Sequence, residues 1–331
     1  MTPEVNAGNI HVSDIEELNY SVWPWDLRMR QLSCGEFRAD LDFAQVNGIF
    51  LTHERWSHRV AAIGATPAGY LALAGSCSEN TFSFSGQDIG SRTVVCELDA
   101  ADIEFSTPDD AEHWVMLVPI DQIVGRLGDE LAEALLHRGH SCSNDPRVIR
   151  RLAALVVRGV AKLRNDVSYQ ANDLLLDAIQ SQLLGAVADL LLDSDMKVNP
   201  GTPRKRFLAC RRALRCTEGL HRPISVDELA AQAGVSRRAL ELGFRETLGI
   251  SPQRYFRYVR MNGLRRDLRR AMPGRATVTE AAAHWGFVEL GRTAVEYRQL
   301  FGESPSTTLA RDGRIDCPRY ADVLAFSASC T

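Results

Sequence analysis

The chain has no Cys-x-x-Cys pair. Its cysteines, at positions 34, 77, 96, 142, 210, 216, 317 and 330, are scattered, which excludes a zinc knuckle or a thioredoxin-like site. No apolar run approaches the roughly 18 residues of a spanning helix, so no membrane partner is expected. The acidic N-terminus lacks the basic-then-apolar order of a secretory signal. Reduced cytosolic thiols are therefore expected. Cys210 and Cys216 flank Arg211, Arg212 and Arg215, and cations lower a thiol pKa, so a redox switch stays open as an alternative. Residues 1–200 contain no nucleophile elbow, P-loop, HExxH or dinucleotide fingerprint. Neither an enzyme nor a bound cofactor or metal is expected.

The charge is unevenly spread. Residues 201–331 hold 23 Lys+Arg against 13 Asp+Glu, a surplus of +10 that leaves −14 for residues 1–200. The basic residues of the second part are almost all arginine, which suits phosphate and guanine recognition. Such a split points to a nucleic-acid-binding part joined to another unit.

The chain divides near 193–203, where two prolines, a glycine and small polar residues read as a linker. Residues 20–120 show short alternating segments, such as Phe82–Phe84 and 92–98, interrupted by Gly and Pro. They predict a small β-sandwich or barrel, with Trp114–Val118 as a buried strand. Residues 121–192 are expected to be helical: Leu152, Leu155, Val156 and Gly159, then Leu174, Leu175, Ala178, Ile179 and Leu183, recur at helical spacing. The second group serves either a dimer interface or its own core. Trp23, Trp25, His53, Trp56, His58 and Trp114 are candidates for a pocket lining, or ordinary core and surface residues.

An internal repeat organises residues 204–312. Ala230-Ala-Gln-Ala-Gly234 recurs as Ala282-Ala-His-Trp-Gly286, and Gly249-Ile-Ser-Pro252 as Gly302-Glu-Ser-Pro305, at offsets of 52 and 53 residues. Each copy reads as helix, turn, helix. In the first, about 225–247, Ser225 caps a helix with Glu228 in the capping-box position. Gly234 supplies the positive φ of the turn. Ser236 caps a second helix that buries Leu240, Phe244 and Leu248 and presents Arg237, Arg238, Glu241 and Arg245. In the second copy, about 277–301, Thr277 and Glu280 form the box, and the later helix presents Arg292, Glu296, Arg298 and Gln299. A helix over about 252–270 joins the copies, started by Pro252. Its seven arginines, Arg260 among them, predict a phosphate-attracting face. Residues 313–331 form a C-terminal tail.

The run Ile224-Ser-Val-Asp-Glu-Leu-Ala-Ala-Gln-Ala-Gly-Val-Ser-Arg-Arg-Ala-Leu-Glu-Leu-Gly-Phe-Arg245, with Leu248–Pro252 and Ala282–Phe287 through Tyr297-Arg298 to Pro305, resembles the AraC/XylS family of transcription regulators. The Gly-Arg-x-Ala-x-x-Tyr run at 291–297 resembles the subgroup that includes ethanolamine-operon regulators. The resemblance implies an α+β chain: a β-rich sensor and dimerisation domain over 1–192 and an all-α double helix-turn-helix domain over 204–312. It implies that both recognition helices enter adjacent major grooves of promoter DNA, about 34 Å apart. Base readout is then expected near Arg237, Arg238, Glu241 and Leu242, and near Leu290, Gly291, Arg292, Ala294 and Val295. Arg245, Arg260 and Arg298 join them as DNA contacts. RNA polymerase, an unidentified small-molecule effector and a second copy of the chain are the further partners implied, with a cytoplasmic, nucleoid-associated location. Thr293 stands where the family usually has an aromatic residue and Val295 where it often has arginine. Gly291 costs roughly 1 kcal/mol of helix stability relative to Ala. The first unit is therefore expected to be the stronger reader.

Overall fold

The computed structural model describes residues 5–323 apart from 23–24, 79, 86, 92, 99–102, 129–140, 144–145, 167–171, 193–196, 199–204, 217–221, 272–275, 312–314 and 316. The first unit begins with β1 (Val5–Val12), α1 (Ile15–Ser21), β2 (Asp26–Gln31), β3 (Ala39–Val46), β4 (Ile49–Trp56), β5 (Val60–Ala65) and β6 (Tyr70–Ser76). It continues through β7 (Phe82–Phe84), β8 (Gln87–Ile89), β9 (Val94–Leu98), β10 (Ile103–Ser106) and β11 (Ala111–Pro119). After these come α2 (Ile120–Leu127), β12 (Ser141–Ser143), α3 (Pro146–Asn165), α4 (Asp173–Leu191) and β13 (Lys197–Val198). The strands form two antiparallel sheets, ordered β1-β3-β4-β11-β6-β9-β12-β13 and β2-β5-β10-β7-β8. The expected sandwich is present. The strand at Ser141–Ser143 corrects the purely helical reading of 121–192; it pairs with β9. Most of the expected linker lies outside the described residues.

Strand parity sorts the core into two layers. In β4 and β11, Leu51 pairs with Met116, and Trp114 lies opposite His53. Leu51, Trp114, Met116 and Val118 face outward against α3 and α4, joining Leu152, Val156, Val160, Leu176, Leu183 and Leu190 in one cluster. The alternate residues face the space between the sheets, where Phe50, Trp56 and Leu117 meet Ile10, Leu18 and Phe43. At about 25 cal/mol per Å² of apolar surface, each such layer holds the sheet firmly on both faces.

Helix α4 corrects the expectation that nothing in the chain is long and apolar enough to span a membrane, since Asp173–Leu191 meets that criterion. Its apolar stripe is packed on the sheet, and its polar side is bonded: Asn47 donates to Gln180 at 2.8 Å, and Arg151 pairs with Asp189. Leu174 (81% exposed), Leu175 (37%) and Leu192 (54%) remain on the surface. The leucine-rich segment thus serves its own core with one face and leaves another uncovered.

The second unit comprises α5 (Lys205–Cys216), α6 (Val226–Gln232), α7 (Arg237–Leu248), α8 (Pro252–Arg270), α9 (Val278–His284), α10 (Leu290–Phe301) and α11 (Pro305–Ala310). Helix α8 runs through its middle, burying Tyr255, Phe256, Val259, Met261, Leu264 and Leu268. Cys210 on α5 is fully buried, and burial pushes its thiol well above the ordinary range. That is the reverse of the activated thiol its arginine neighbours suggest. After α11 the chain returns to the sandwich, where α12 (Tyr320–Val323) places Tyr320 in the core between the sheets.

The two units share a polar seam along β2 and α8. The Gln31 amide donates to Asn262 Oδ1 and the Asn262 amide donates to the Gln31 carbonyl, both at 3.0 Å. Arg30 donates to the Tyr255 hydroxyl at 3.1 Å. Asp14, at the cap of α1, takes both arms of Arg265, at 3.0 and 2.6 Å. Arg269 lies 3.5 Å from Asp14 and 3.3 Å from Glu17. Glu303 completes the cluster at 2.9 Å from Arg265. Buried charges persist where they are paired and hydrogen-bonded in this way.

Candidate nucleic-acid interface

In the first helix-turn-helix, Ser225 Oγ accepts from the Glu228 amide at 3.0 Å. The expected box is one-sided, because the Glu228 carboxylate turns to Arg222 at 2.6 Å. Helix α6 is capped by Ala233 and followed by Gly234, whose φ of 65° suits glycine. The Val235 amide then donates back to Ala230, closing the turn. Ser236 caps α7 through the Ala239 amide. Leu229, Leu240, Phe244 and Leu248 lie in the core, so α7 holds its opposite face outward. The second helix-turn-helix repeats this with Thr277 and Glu280 in a complete capping box and Gly286 at φ 70°. Helix α10 is weaker at its start: Glu289 makes no side-chain cap bond among the described residues. Thr293 is buried.

The outer faces carry most of the expected residues. Arg237, Arg238 and Arg245 on α7 and Gly291, Arg292 and Arg298 on α10 are exposed, while Glu241, Leu242 and Ala294 are half-buried. Arg237 is already engaged, at 2.9 Å from Asp227 and 3.0 Å from Glu241. The side chains of Arg238, Arg245 and Arg298 are exposed and make no hydrogen bond or ion pair among the described residues, although the Arg245 and Arg298 carbonyls accept the cap amides of Gly249 and Gly302. Arg292 is held by Glu296 at 2.9 Å. Burial pushes the Glu296 carboxyl up, but Arg257 and Arg292 outweigh it and keep it below the ordinary range.

Two features of α8 bear on its expected role. Arg260, expected as a DNA contact, is turned inward. Its guanidinium lies 4.7 Å above the Phe287 ring and donates to the carbonyls of Trp285 and Gly286, both at 3.2 Å. The arginine-rich face is largely spent inside the fold: Arg265 and Arg269 are in the seam, Arg257 pairs with Glu296, and Arg266 lies over Trp285. One contributor escaped the sequence reading. Val288 is 91% exposed two residues before α10, and Leu290 (38%) and Val295 (58%) are exposed on that helix. Apolar groups at such positions contact thymine methyls. The signal was three large apolar residues at positions with no core to face.

The tryptophan and histidine candidates separate. Trp25 and Trp56 line a cavity between the sheets together with His113, whereas Trp114 lies on the other face of β11 and neither His53 nor His58 lines the cavity. Trp23 lies outside the described residues. No group of three or more His, Cys, Asp or Glu side chains that could hold a metal occurs among the described residues.

A helix-turn-helix domain model matches residues 229–311. The chain is 32% identical over 191 residues to the probable thc operon regulatory protein of Rhodococcus erythropolis, covering 57% of each chain. It is 27% identical over 315 residues to the XylDLEGF operon transcriptional activator 3 of Pseudomonas putida, covering 93% of this chain and 91% of that one. A solved structure of a probable AraC family transcriptional regulator from Rhodopseudomonas palustris shares 38% identity over 31% of this chain and 95% of its own, at a TM-score of 0.29. The match to the Rhodococcus protein thus spans little more than half of that relative's length.

Proposed function

We propose that the chain, whose residues 229–311 match a helix-turn-helix domain model and whose relatives include operon regulators and activators, is an AraC/XylS-type, effector-controlled activator that binds promoter DNA through α7 and α10. The observation that carries this reading is the outward, unpartnered presentation of Arg238, Arg245 and Arg298 on two helix-turn-helix units joined by one rigid helix. Arg245 and Arg298 hold phosphates, which gives affinity and salt dependence but no sequence information. Arg238 pairs bidentately with a guanine edge, worth about 1–3 kcal/mol of discrimination. Arg237 and Arg292 are tethered by carboxylates that position them, and Glu241, Leu242, Gly291 and Ala294 shape the surfaces around them. Val288, Leu290 and Val295 read thymine methyls. Residues 1–192 sense the effector, and Leu174 and Leu175 on α4, with Leu192 at its C-terminal cap, join two copies. RNA polymerase is the downstream partner, the location is the cytoplasmic nucleoid, and no catalytic step is assigned.

Genome-wide immunoprecipitation of bound DNA supplies the operator, and fluorescence anisotropy then measures affinity. Arg238→Ala is expected to weaken operator binding about tenfold, the ratio equivalent to 1.4 kcal/mol, and to leave binding to random DNA nearly unchanged. Equal loss on both would overturn the base-reading role. Failure to enrich any site from cells containing the folded protein would overturn the regulator reading.

A further inference from the structure

Tyr320 occupies a place in the sandwich that strands of the first unit build but do not fill. Its ring is 1% exposed and sits edge-on to Phe50 and Phe43, with centroids 4.9 and 5.9 Å away. Its hydroxyl donates to Glu54 Oε1 at 3.0 Å. Glu54 is itself buried on β4, takes the Trp56 indole N–H at 3.1 Å on Oε2, and lies 3.6 Å from His113, its cross-strand partner on β11. Nδ1 of that histidine is buried and has no hydrogen-bond partner among the described residues. Burial pushes the Glu54 carboxyl up, but His113 and the Tyr320 hydroxyl outweigh it and hold the group ionised.

Beside the Tyr320 ring a cavity of about 80 Å³ remains, walled by Trp25, Met29, Phe82, Phe84 and Phe105. A cavity of about 150 Å³ holds a benzene ring, so a ring-bearing molecule fits only if Tyr320 leaves. Tyr320 is held by a short returning segment. Cys317 Sγ lies 3.1 Å from Ser21 Oγ, and Arg319 lies over the Tyr20 ring. The segment comes after α11, the last helix of the second unit.

We propose that Tyr320 is an intramolecular stand-in for the effector, and that an aromatic molecule bearing a neutral hydroxyl replaces it on Glu54 and releases the returning segment. The inference rests on the reading of the first unit as the sensor. The selectivity follows from Glu54. A buried carboxylate that loses the donor on Oε1 is left underbonded, so the incoming molecule must donate a hydrogen bond there. A ligand carboxylate would set two negative charges together in an apolar space.

The probe is p-cresol, the side-chain analogue of tyrosine, titrated calorimetrically into the full chain, with toluene and p-toluate as controls. Tyr320→Ala is expected to bind p-cresol at least tenfold more tightly than the unsubstituted protein does, and at least tenfold more tightly than it binds toluene. It should not bind p-toluate. Tyr320→Phe, which keeps the ring and loses only the hydroxyl, should gain several-fold for p-cresol. Hydrogen exchange over 317–323 should accelerate when p-cresol saturates the unsubstituted protein. Absence of binding to both variants, binding of toluene or p-toluate as tight as that of p-cresol, or unchanged exchange at saturation overturns the proposal. If p-cresol binds and frees the segment but operator affinity stays the same, the proposal stands and the sensor reading fails.

Discussion

Replacing Asp14 by asparagine tests what holds the two units together. The carboxylate is fully buried and faces Arg265, whose side chain is 4% exposed, at 2.6 Å, with Arg269 at 3.5 Å. Asparagine keeps the size and the oxygen that accepts the Glu16 amide at 2.9 Å, so the cap of α1 survives. What disappears is one negative charge between two buried guanidinium groups. Removing one partner of a buried ion pair costs about 3–5 kcal/mol, because the remaining charge stays desolvated. At roughly 2–4 °C per kcal/mol for a chain somewhat smaller than this one, the melting temperature should fall by roughly 10 °C. The form of the transition is equally informative. Scanning calorimetry should show one cooperative transition for the unsubstituted protein and two for Asp14→Asn, as the sandwich and the helical unit melt separately. A loss under about 1 kcal/mol, the worth of an exposed pair, would refute the argument, as would two resolved transitions before any substitution.

Gly291 has no positive φ, and a Cβ added there meets nothing within 4 Å among the described residues; Gly291→Ala should stabilise the protein by about 1 kcal/mol in thermal melts. Gly263→Ala should do the opposite, costing about 1–3 kcal/mol by overpacking, because its Cβ would meet the Trp285 ring at 2.3 Å. Burial raises the Glu104 carboxyl to about 7, against an ordinary 4.5, with Arg211 opposing. A raised acid favours the folded state while protonated, so its contribution is complete below pH 4.5 and is lost as pH rises to about 7. Glu104→Gln should therefore melt near the unsubstituted protein at low pH and above it at pH 8, by up to about 3 kcal/mol; a gap that does not widen with pH would contradict this.

The helical unit was legible because its information is local. Caps, turn glycines and apolar spacing all fall within a dozen residues of one another, and the repeat supplied each signal twice. The sandwich was legible as a type only. Trp56 and Trp114 look equivalent in sequence, yet one faces the cavity and the other the covering helices, and only strand register decides that. Arg265 and Arg269 were unreadable for a related reason. An arginine on a basic helix has the same neighbours in sequence whether it meets a phosphate or a carboxylate some 250 positions away. Tyr320 carries no local mark of its destination, since its partners Phe43, Phe50 and Glu54 lie in the first unit.

Helix α8 has a mechanical consequence. Its 19 residues make a strut about 28 Å long with no hinge, each residue adding 1.5 Å and turning the far end by about 100°. On the proposed reading, one inserted residue would swing α10 away from the face of the DNA that α7 meets. On that reading the helix can change its side chains but not its length, and the spacing between the two DNA contacts is fixed by a covalent ruler rather than by affinity.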